Sequence, residues 1–450
     1  MLYDNILLEI FDFYRLNAMT ESGEKPWKWH RLAHVCQKWR HIISTSPRRL
    51  DLRILFDNRT PIEILHVWPT LPLAVSFKVT QESASMPKNI TTALCHLDRT
   101  WQVELYVKSS MTRSLAEMIQ KPCQALENIS ITVEDATGTS MPVHNEFLGG
   151  SAPQLKEIKL DGVFYPFPQL RQVLLSTNNL VELTLSKIPN AIYFSPDDLV
   201  TSLSTLARLK SFSVGFYFTA SHPPPNVTHP PPQRTTLPSL TSLDFHGASE
   251  YLEEFMARIN SPALSKITIR LFNQIFFEIP QFCQFILRPN ALGSPTWVIV
   301  THSAESVSVL LTLNRNEHYL LGTSCRRLDW QLSFVTEVLT QLSHASPLLS
   351  NVRSLTIQKG DELPSMEDMD STQWLELFRP FTHVTLVRVS EQQLVPSIVQ
   401  ALVTEDMATA VLPELFSLHL EKDSAPSVVE AAEQFVAARR LSGHTVFLSG

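Results

Sequence analysis

Apolar residues in the first 50 positions recur at the spacing of amphipathic helices. The first set is Leu2, Ile6, Leu7, Ile10, Phe11 and Tyr14. The second set is Trp29, Leu32, Cys36, Trp39 and Ile43, with Val35 and Ile42 beside it. Residues three, four or seven apart share one helix face, so we predict a helix over the first set and another from about residue 27 to 43. Pro47 would end the second helix, because proline cannot continue one.

Beyond residue 50 a different pattern recurs: an apolar residue, two others, an apolar residue, one other, and an apolar residue. The last two apolar side chains share one face of a strand. The copies are 125–131, 153–160, 179–185, 208–214, 238–245, 262–269, 351–357, 380–386 and 413–420. The helix-compatible stretches between them are 167–176, 196–206, 251–259 and 334–342. The spacing of the copies lies near the period of leucine-rich repeats.

The repeated copies predict a parallel sheet built by stacking, because no single strand–helix unit can bury its apolar face alone. The pattern weakens from about 270 to 345. There we predict strands at 297–303, 306–313 and 327–334. Further repeats are expected before residue 107, with strands at 73–79 and 101–107. The C-terminal residues predict a helix, a glycine turn and a last strand, which would cap the array.

Two segments follow neither pattern. Residues 221–234 include HPPPNVTHPPPQ and predict an exposed polyproline-like loop, and residues 361–370 predict an acidic surface loop. The expected fold class is therefore α/β. We expect a short all-helical module over residues 1–50, followed over 51–450 by an irregular solenoid with parallel strands on its concave face and helices outside.

The helical module resembles an F-box. Two motifs carry the resemblance, L-x-x-x-I-L-x-x-I-F and L-x-x-V-C-x-x-W-R-x-I. They stand here as Leu2, Ile6, Leu7, Ile10 and Phe11, and as Leu32, Val35, Cys36, Trp39, Arg40 and Ile43. Residues 51–450 resemble the divergent leucine-rich-repeat regions that follow F-boxes in many fungal, basidiomycete-type proteins.

This resemblance implies partners. An F-box is too small to bury all of its apolar side chains alone, and in the family an SKP-type adaptor covers them. The implied adaptor-binding residues are Leu2, Ile6, Leu7, Ile10, Phe11, Leu32, Val35, Cys36, Trp39 and Arg40. The sequence does not separate adaptor contacts from internal packing within this set. The adaptor would link the chain to a cullin scaffold and a RING ligase, and the repeats would hold a target protein for ubiquitin transfer.

Candidate target-binding residues follow from strand register. Side chains that alternate with the core-facing pair project to the opposite, concave face. Those selected are Glu157, Lys159, Asp161, Asp244, His246, Lys266, Arg270, Gln358, His383 and His419. The set is mixed in sign, which favours a protein ligand over a phosphate backbone.

Composition narrows the choice of partners. The chain has 450 residues with 37 Lys+Arg against 44 Asp+Glu, and its net charge is -7. Without a basic stripe, neither nucleic acid nor an anionic membrane surface is expected as a partner. The 5 cysteines show no C-x-x-C spacing and predict neither a disulfide framework nor a zinc site. His30 and His34 lie one helical turn apart, but no further ligand accompanies them. No metal or cofactor is expected.

Catalytic motifs are also missing from the sequence, which has no G-x-S-x-G, no glycine-rich phosphate loop and no H-E-x-x-H. Asp197 and Asp198 are interpreted as residues of a helix start. Asp4, Glu9 and Asp12 interrupt the apolar N-terminal stretch, so we predict no signal peptide. No apolar run is long enough for a transmembrane helix, and a cytoplasmic location is expected, with the nucleus also open.

We therefore expect a non-catalytic substrate-recognition adaptor of an SKP–cullin–F-box type ubiquitin ligase, monomeric outside that complex. The alternative is a ligase-independent protein-binding scaffold that retains an F-box-like fold. Tyr3, where the family usually has proline, and the long linker at 17–26 favour this alternative. An enzyme on a repeat scaffold is the third hypothesis, and no nucleophile–base pair or metal set supports it.

Overall fold

The computed structural model describes most of the chain, and every structural statement below concerns those residues. They are 3–20, 30–45, 53–67, 71–80, 85–135, 146–162, 166–189, 192–217, 234–272, 277–286, 295–313, 317–325, 327–345, 347–360, 371–403, 411–421 and 425–449. They form two compact units, one extending to Leu209 and one beginning at Lys210. The predicted loops at 221–234 and 361–370 lie outside the described residues, apart from Arg234.

The first unit contains a parallel sheet whose strands pair in chain order. Its described strands are β1 Ile54–Phe56, β2 Leu73–Lys78, β3 Thr100–Val107, β4 Asn128–Val133, β5 Glu157–Asp161 and β6 Glu182–Ile188. Buried and half-exposed positions alternate along them, and in β5 the buried side chains are Ile158 and Leu160. The buried positions form one face of the sheet. We call the face formed by the alternate positions the open face.

The helices of the first unit include three at its N-terminus. They are α1 Asp4–Thr20, α2 His30–Ala33, α3 Gln37–Thr45, α4 Ile64–Val67, α5 Lys88–Leu94, α6 Thr112–Met118, α7 Phe167–Ser176 and α8 Pro196–Leu203. The predicted helix at 167–176 is confirmed as α7. At α8, Ser195 Oγ accepts the N–H of Asp198 at 3.1 Å. Asp197 and Asp198 lie in the first turn, as predicted, where negative charge is favoured.

The second predicted N-terminal helix is divided in the structure. The prediction was a single helix over 27–43, whereas the described chain forms α2 and α3 with a turn at residues 34–36. Arg40 Nε donates to the carbonyl oxygen of Ala33 at 3.2 Å. This side-chain bond satisfies a carbonyl at the end of α2 that a continuous helix would pair internally. The apolar spacing fits one continuous helix and two shorter helices equally well, so it could not predict the break.

The second unit contains a longer, mixed sheet. Its described strands pair in the order β7, β9, β11, β14, β13, β12, β15, β16, β17, β18, and β8 pairs with β10 separately. They are β7 Ser211–Phe216, β8 Thr235–Thr236, β9 Ser242–Gly247, β10 Ile259–Asn260, β11 Lys266–Leu271, β12 Trp297–His302, β13 Ser306–Thr312, β14 His318–Ser324, β15 Ser354–Lys359, β16 Leu386–Val389, β17 Ser417–Leu420 and β18 Phe447–Ser449. The expected α/β class with mainly parallel strands is confirmed in both units.

Helices separate many of the consecutive strands of the second unit, but β12, β13 and β14 follow one another with no described helix between them. They are α9 Ser249–Arg258, α10 Pro280–Ile286, α11 Leu328–Ala345, α12 Ser371–Phe378, α13 Val395–Val403 and α14 Pro426–Leu441. The C-terminal prediction is confirmed, because α14 is followed by β18 through a turn at Gly443, whose φ is 84°. A positive φ is readily adopted by glycine, which has no Cβ.

Between β11 and β15 the predicted parallel order is interrupted. β13 pairs antiparallel with β12 and with β14, while β14 is parallel to β11 and β12 is parallel to β15. The strands predicted at 297–303 and 306–313 are confirmed as β12 and β13, and β14 was missed. The strand predicted at 327–334 is wrong, because this segment lies within α11. Its buried residues Leu332, Val335, Leu339 and Leu342 have helical spacing.

One repeat was predicted in the wrong register. The copy at 380–386 placed Leu386 in the core, but Leu355 pairs with Val387, and Val387 and Val389 are the buried residues of β16. The carbonyl of Arg353 accepts the N–H groups of Thr385 and Leu386. The carbonyl of Lys156 accepts those of Val181 and Glu182 at the start of β6 in the same way. Residues 384–389 therefore form the true copy, and Leu386 lies on the open face.

A buried polar network joins the antiparallel strands to α11. Gln331 is fully buried, and its Nε2 donates to the carbonyls of Ser303 and Cys325, both at 2.7 Å. Its Oε1 lies 3.0 Å from His302 Nδ1. Because both amide hydrogens face carbonyls, Oε1 must accept, and Nδ1 of His302 carries the proton. Burial lowers the pKa of His302 to about 4, so the ring is neutral at physiological pH.

Candidate functional site

An apolar stripe lies exposed on the N-terminal helix. Its members are Tyr3 (79% exposed), Ile6 (45%), Ile10 (41%) and Phe13 (68%). Their spacing of three, four and three places them along one face of α1 and its first turn. Val35, in the turn between α2 and α3, is a further large apolar residue with 58% exposure. We call Tyr3, which immediately precedes α1, together with Ile6, Ile10 and Phe13 of α1, the N-terminal apolar stripe.

The predicted adaptor-binding residues divide into two groups. Leu7 and Phe11 are buried, and Phe11 packs edge-on against the half-buried Trp39 with ring centroids 4.9 Å apart. Leu32 is also half-buried. The exposed members are Ile6, Ile10, Val35, Cys36 and Arg40. Leu2 lies outside the described residues.

The structure separates adaptor candidates from packing residues, which the sequence could not do. Lys38 Nζ pairs with Asp4 Oδ1 at 2.9 Å and ties α3 to the start of α1. Tyr3 and Phe13 were not among the predicted site residues, although both are members of the exposed stripe. Extending the Ile6–Ile10 spacing by one helical turn in each direction would have identified them.

The open face of the first unit is acidic and largely self-paired. Its in-strand charged residues are Glu104, Glu157, Asp161 and Glu182 against Lys78, Lys159 and Lys187, whose ammonium group reaches this face. Lys159 Nζ lies 2.6 Å from Glu157 Oε1 and 3.1 Å from Glu182 Oε1. These contacts, the Glu157 hydrogen bond first, raise the pKa of Lys159 and keep it charged. Lys187 pairs with Asp161 at 3.0 Å.

The open face of the second unit has the opposite sign. Its in-strand charged residues are Lys266, Arg270 and Arg388 against Asp244, and His246, His318 and His419 lie on the same face. Arg270 Nη1 lies 3.8 Å from Asp244 Oδ1, a long contact between partly exposed groups. Burial, followed by the charge of Arg270, lowers the pKa of His246, which is therefore neutral at physiological pH.

The centre of this second open face is apolar. Ile299 pairs with Leu310, which pairs with Leu320, so one row of half-exposed aliphatic side chains crosses β12, β13 and β14. Trp297 extends the row, because its Nε1 donates across the sheet to Thr356 Oγ1 at 3.0 Å. We call Trp297, Ile299, Leu310 and Leu320 the central apolar row.

Arg388 lies directly beside this row. It is the register partner of Thr356, the residue that Trp297 contacts. The Nε of Arg388 is buried and has no hydrogen-bond partner within the described chain. A buried donor without an acceptor is unfavourable for the folded chain. The side chain as a whole is half-exposed, so the outer part of its guanidinium can face an acceptor from another molecule.

The structure places most predicted target-binding residues where the register argument put them. Glu157, Lys159 and Asp161 lie on the open face of the first unit. On the open face of the second unit lie Asp244, His246, Lys266, Arg270, Gln358 and His419. His383 is the exception: it precedes β16, and its Nε2 lies 3.7 Å from Glu414. Leu386 occupies the position that the shifted register had assigned to His383, and Arg388 lies two residues further along the same face of β16.

The described residues show no features of two other kinds of site, a metal centre and a membrane-spanning helix. No group of three or more His, Cys, Asp or Glu side chains there could hold a metal ion. No described helix is long and apolar enough to cross a membrane. Comparison with protein-family models and with curated proteins finds no match for this chain.

Proposed function

We propose that this chain is a substrate-recognition subunit of an SKP–cullin–F-box type ubiquitin ligase. In this proposal α1, α2 and α3 form an F-box-like module, and the strand–helix units after residue 50 form a leucine-rich-repeat-like solenoid. The chain has no catalytic role, and it acts by raising the local concentration of a bound target near the ubiquitin-loaded enzyme.

The observation that carries the proposal is the N-terminal apolar stripe. Exposed large apolar side chains at Ile6, Ile10 and Phe13 of α1, and at Tyr3 immediately before it, are of the kind that a protein partner covers. Val35, in the turn between α2 and α3, adds a further exposed apolar side chain to the same helical module. Leu7 and Phe11 already supply the internal packing of the helices, so the exposed stripe is not needed for it. The family resemblance assigns the SKP-type adaptor as the partner.

The repeat half of the proposal is supported by the hydrogen bonding between strands. In both compact units, the carbonyl of the residue before a strand accepts two N–H groups from the start of the neighbouring strand. Lys156 and Arg353 are examples. Such equivalent connections are what stacked repeats produce.

The test is co-purification of the chain with an SKP-type adaptor and a cullin. The double variant Ile10→Asp with Val35→Asp places charge at two exposed apolar positions. Each apolar anchor in the centre of an interface contributes about 2 kcal/mol or more, so we expect adaptor binding to fall by at least about 100-fold. Because both side chains are exposed, the fold should be retained, as circular dichroism would check.

The matched control is Val67→Asp. Val67 is 62% exposed, close to the 58% of Val35, but it lies on α4. We expect this control to bind the adaptor like the unchanged chain. Failure of the unchanged chain to bind adaptor and cullin would reject the ligase proposal and leave the ligase-independent binding scaffold, which the exposed Tyr3 favours.

A further inference from the structure

The second unit presents a surface whose chemistry selects a particular kind of polypeptide. The central apolar row spans β14, β13 and β12, and the Trp297 indole reaches β15. Four adjacent strands cover about 14 Å at the usual strand spacing. An extended peptide advances about 3.3 Å per residue, so about four residues would lie along this row.

Cationic side chains border the row on both sides. On one side β11 contributes Lys266 and Arg270, and on the other β16 contributes Arg388. β11 and β16 are five strand spacings apart, about 24 Å. An extended chain covers that distance in about seven residues. The single in-strand acid, Asp244, lies beyond β11 and engages Arg270 at 3.8 Å.

We propose that this surface binds an extended acidic segment of a target protein, with large apolar side chains at its centre and carboxylates about seven residues apart at its flanks. The apolar centre packs on the central apolar row. One flanking carboxylate accepts hydrogen bonds from the half-exposed guanidinium of Arg388, which stands in register with the central apolar row through Thr356. The other flank meets Arg270 and Lys266.

The geometry favours a polypeptide over a nucleic acid. Three in-strand cations separated by an apolar centre do not form the continuous basic track that a phosphate backbone requires. Aliphatic residues such as Leu310 and Leu320 offer no hydrogen bonds to bases, whereas they suit leucine or isoleucine side chains. Planar carboxylates also match the guanidinium groups of Arg270 and Arg388.

This inference rests on the proposed function for its biological meaning, since it names the class of segment by which a ligase subunit would recognise its target. Its physical test needs neither adaptor nor cullin. If the unchanged chain binds the peptide but not the adaptor, only the ligase proposal is rejected. If it binds the adaptor but not the peptide, only the proposed class of target segment is rejected.

The experiment is fluorescence anisotropy of the full chain with labelled synthetic peptides. The first peptide has a leucine-rich centre and glutamate flanks, the second has lysine flanks, and the third has serine in place of each leucine. We expect the glutamate-flanked peptide to bind at least about tenfold more tightly than either of the others. Equal binding of the three peptides, or binding that single-stranded RNA displaces, would overturn the proposal.

Two variants locate the binding site. In Arg270→Glu with Arg388→Glu the preference should invert, so that the lysine-flanked peptide binds more tightly. Leu310→Ser should weaken the glutamate-flanked peptide without changing the charge preference. The control, Lys78→Glu with Lys156→Glu, makes the same change in net charge within the first unit and should leave binding unchanged. A preference that survives the Arg270–Arg388 reversal in a folded protein contradicts the assignment.

Discussion

The two units apply one strand pattern to opposite surface chemistry. In the first unit the open-face charges satisfy each other, as where Lys159 pairs with both Glu157 and Glu182. In the second unit the buried Nε of Arg388 has no acceptor within the described chain, and an aliphatic row occupies the centre of the sheet. The strands of both units are built alike, since buried and half-exposed positions alternate along β5 as they do along β9. The two units therefore differ in the side chains of the open face, which do not have to be apolar for the sheet to fold.

This contrast separates structural charges from charges available for binding. A cross-strand ion pair that is complete within its own sheet adds a little to stability and offers little to a ligand. An unsatisfied guanidinium beside exposed aliphatic side chains does the reverse, because it costs free energy in the unbound protein that a partner can recover.

The first prediction concerns what fixes the antiparallel strands of the second unit. Gln331→Leu removes two hydrogen bonds to the carbonyls of Ser303 and Cys325 and one to His302, all in buried surroundings. We expect the free energy of unfolding to fall by about 3 to 5 kcal/mol, measured by urea denaturation.

Thr177→Val in the first unit provides the comparison for this change. It removes a single buried bond, from Thr177 Oγ1 to the carbonyl of Leu155, and should cost only about 1 kcal/mol. Equal losses for the two variants would show that the Gln331 network is no more important than an ordinary buried hydrogen bond.

The second prediction concerns pH. His302 has an ordinary pKa of 6.5 when exposed and a pKa of about 4 in the folded protein. The unfolded chain therefore takes up a proton more readily, and stability is lost as pH falls from 6.5 towards 4. The contribution of His302 alone to this loss should be about 2 kcal/mol between pH 7 and pH 5. Burial raises the pKa of Glu253 to about 7, and this acts in the opposite direction over the same range, so the His302 contribution is the difference between the unchanged chain and His302→Leu.

The measurement is urea unfolding at the two pH values, with His302→Leu as the variant that lacks this group. In the first unit none of the histidines whose side chains are described is buried, so its own transition should not show this dependence. The same pH dependence in His302→Leu would assign the effect to other groups.

The third and smallest prediction compares single charges on the open faces. Lys159→Ala should lower stability by less than about 1 kcal/mol, because its two ion pairs are partly exposed. Arg388→Ala should leave stability unchanged or slightly higher, since it removes a buried donor without an acceptor. Thermal unfolding of both variants measures this, and a larger loss for Arg388→Ala would contradict the proposed binding role.

Local pattern sufficed for much of the fold. Strands such as β5 and helices such as α7 were predicted because their apolar spacing and their flanking prolines or polar residues agree. The segment at 327–334 was misassigned because Leu328, Trp330, Leu332 and Phe334 alternate like a strand. The same leucines also begin a helical series that continues beyond the segment, and the longer pattern determined the structure.

The remaining errors depend on partners that are distant in sequence. In residues 380–389 two overlapping copies of the repeat fit the chain equally well, and only pairing with β15 selects the one that ends at Val389. The bonds from Gln331 to Ser303 and Cys325 likewise join separate elements. For the site, Ile6 and Leu7 are equally apolar, so packing alone decides that Leu7 is buried and Ile6 is exposed.

The antiparallel strands also bear on how such a chain can diversify. Two reversals of direction cancel, so β12 runs the same way as β14, and both β11 and β15 keep parallel neighbours. The hairpin of β13 and β14 is thus a cassette whose length, sequence or presence can change without altering the polarity of the array. Because Leu310 and Leu320 belong to it, exchange of this cassette alone would give the same framework a new binding preference.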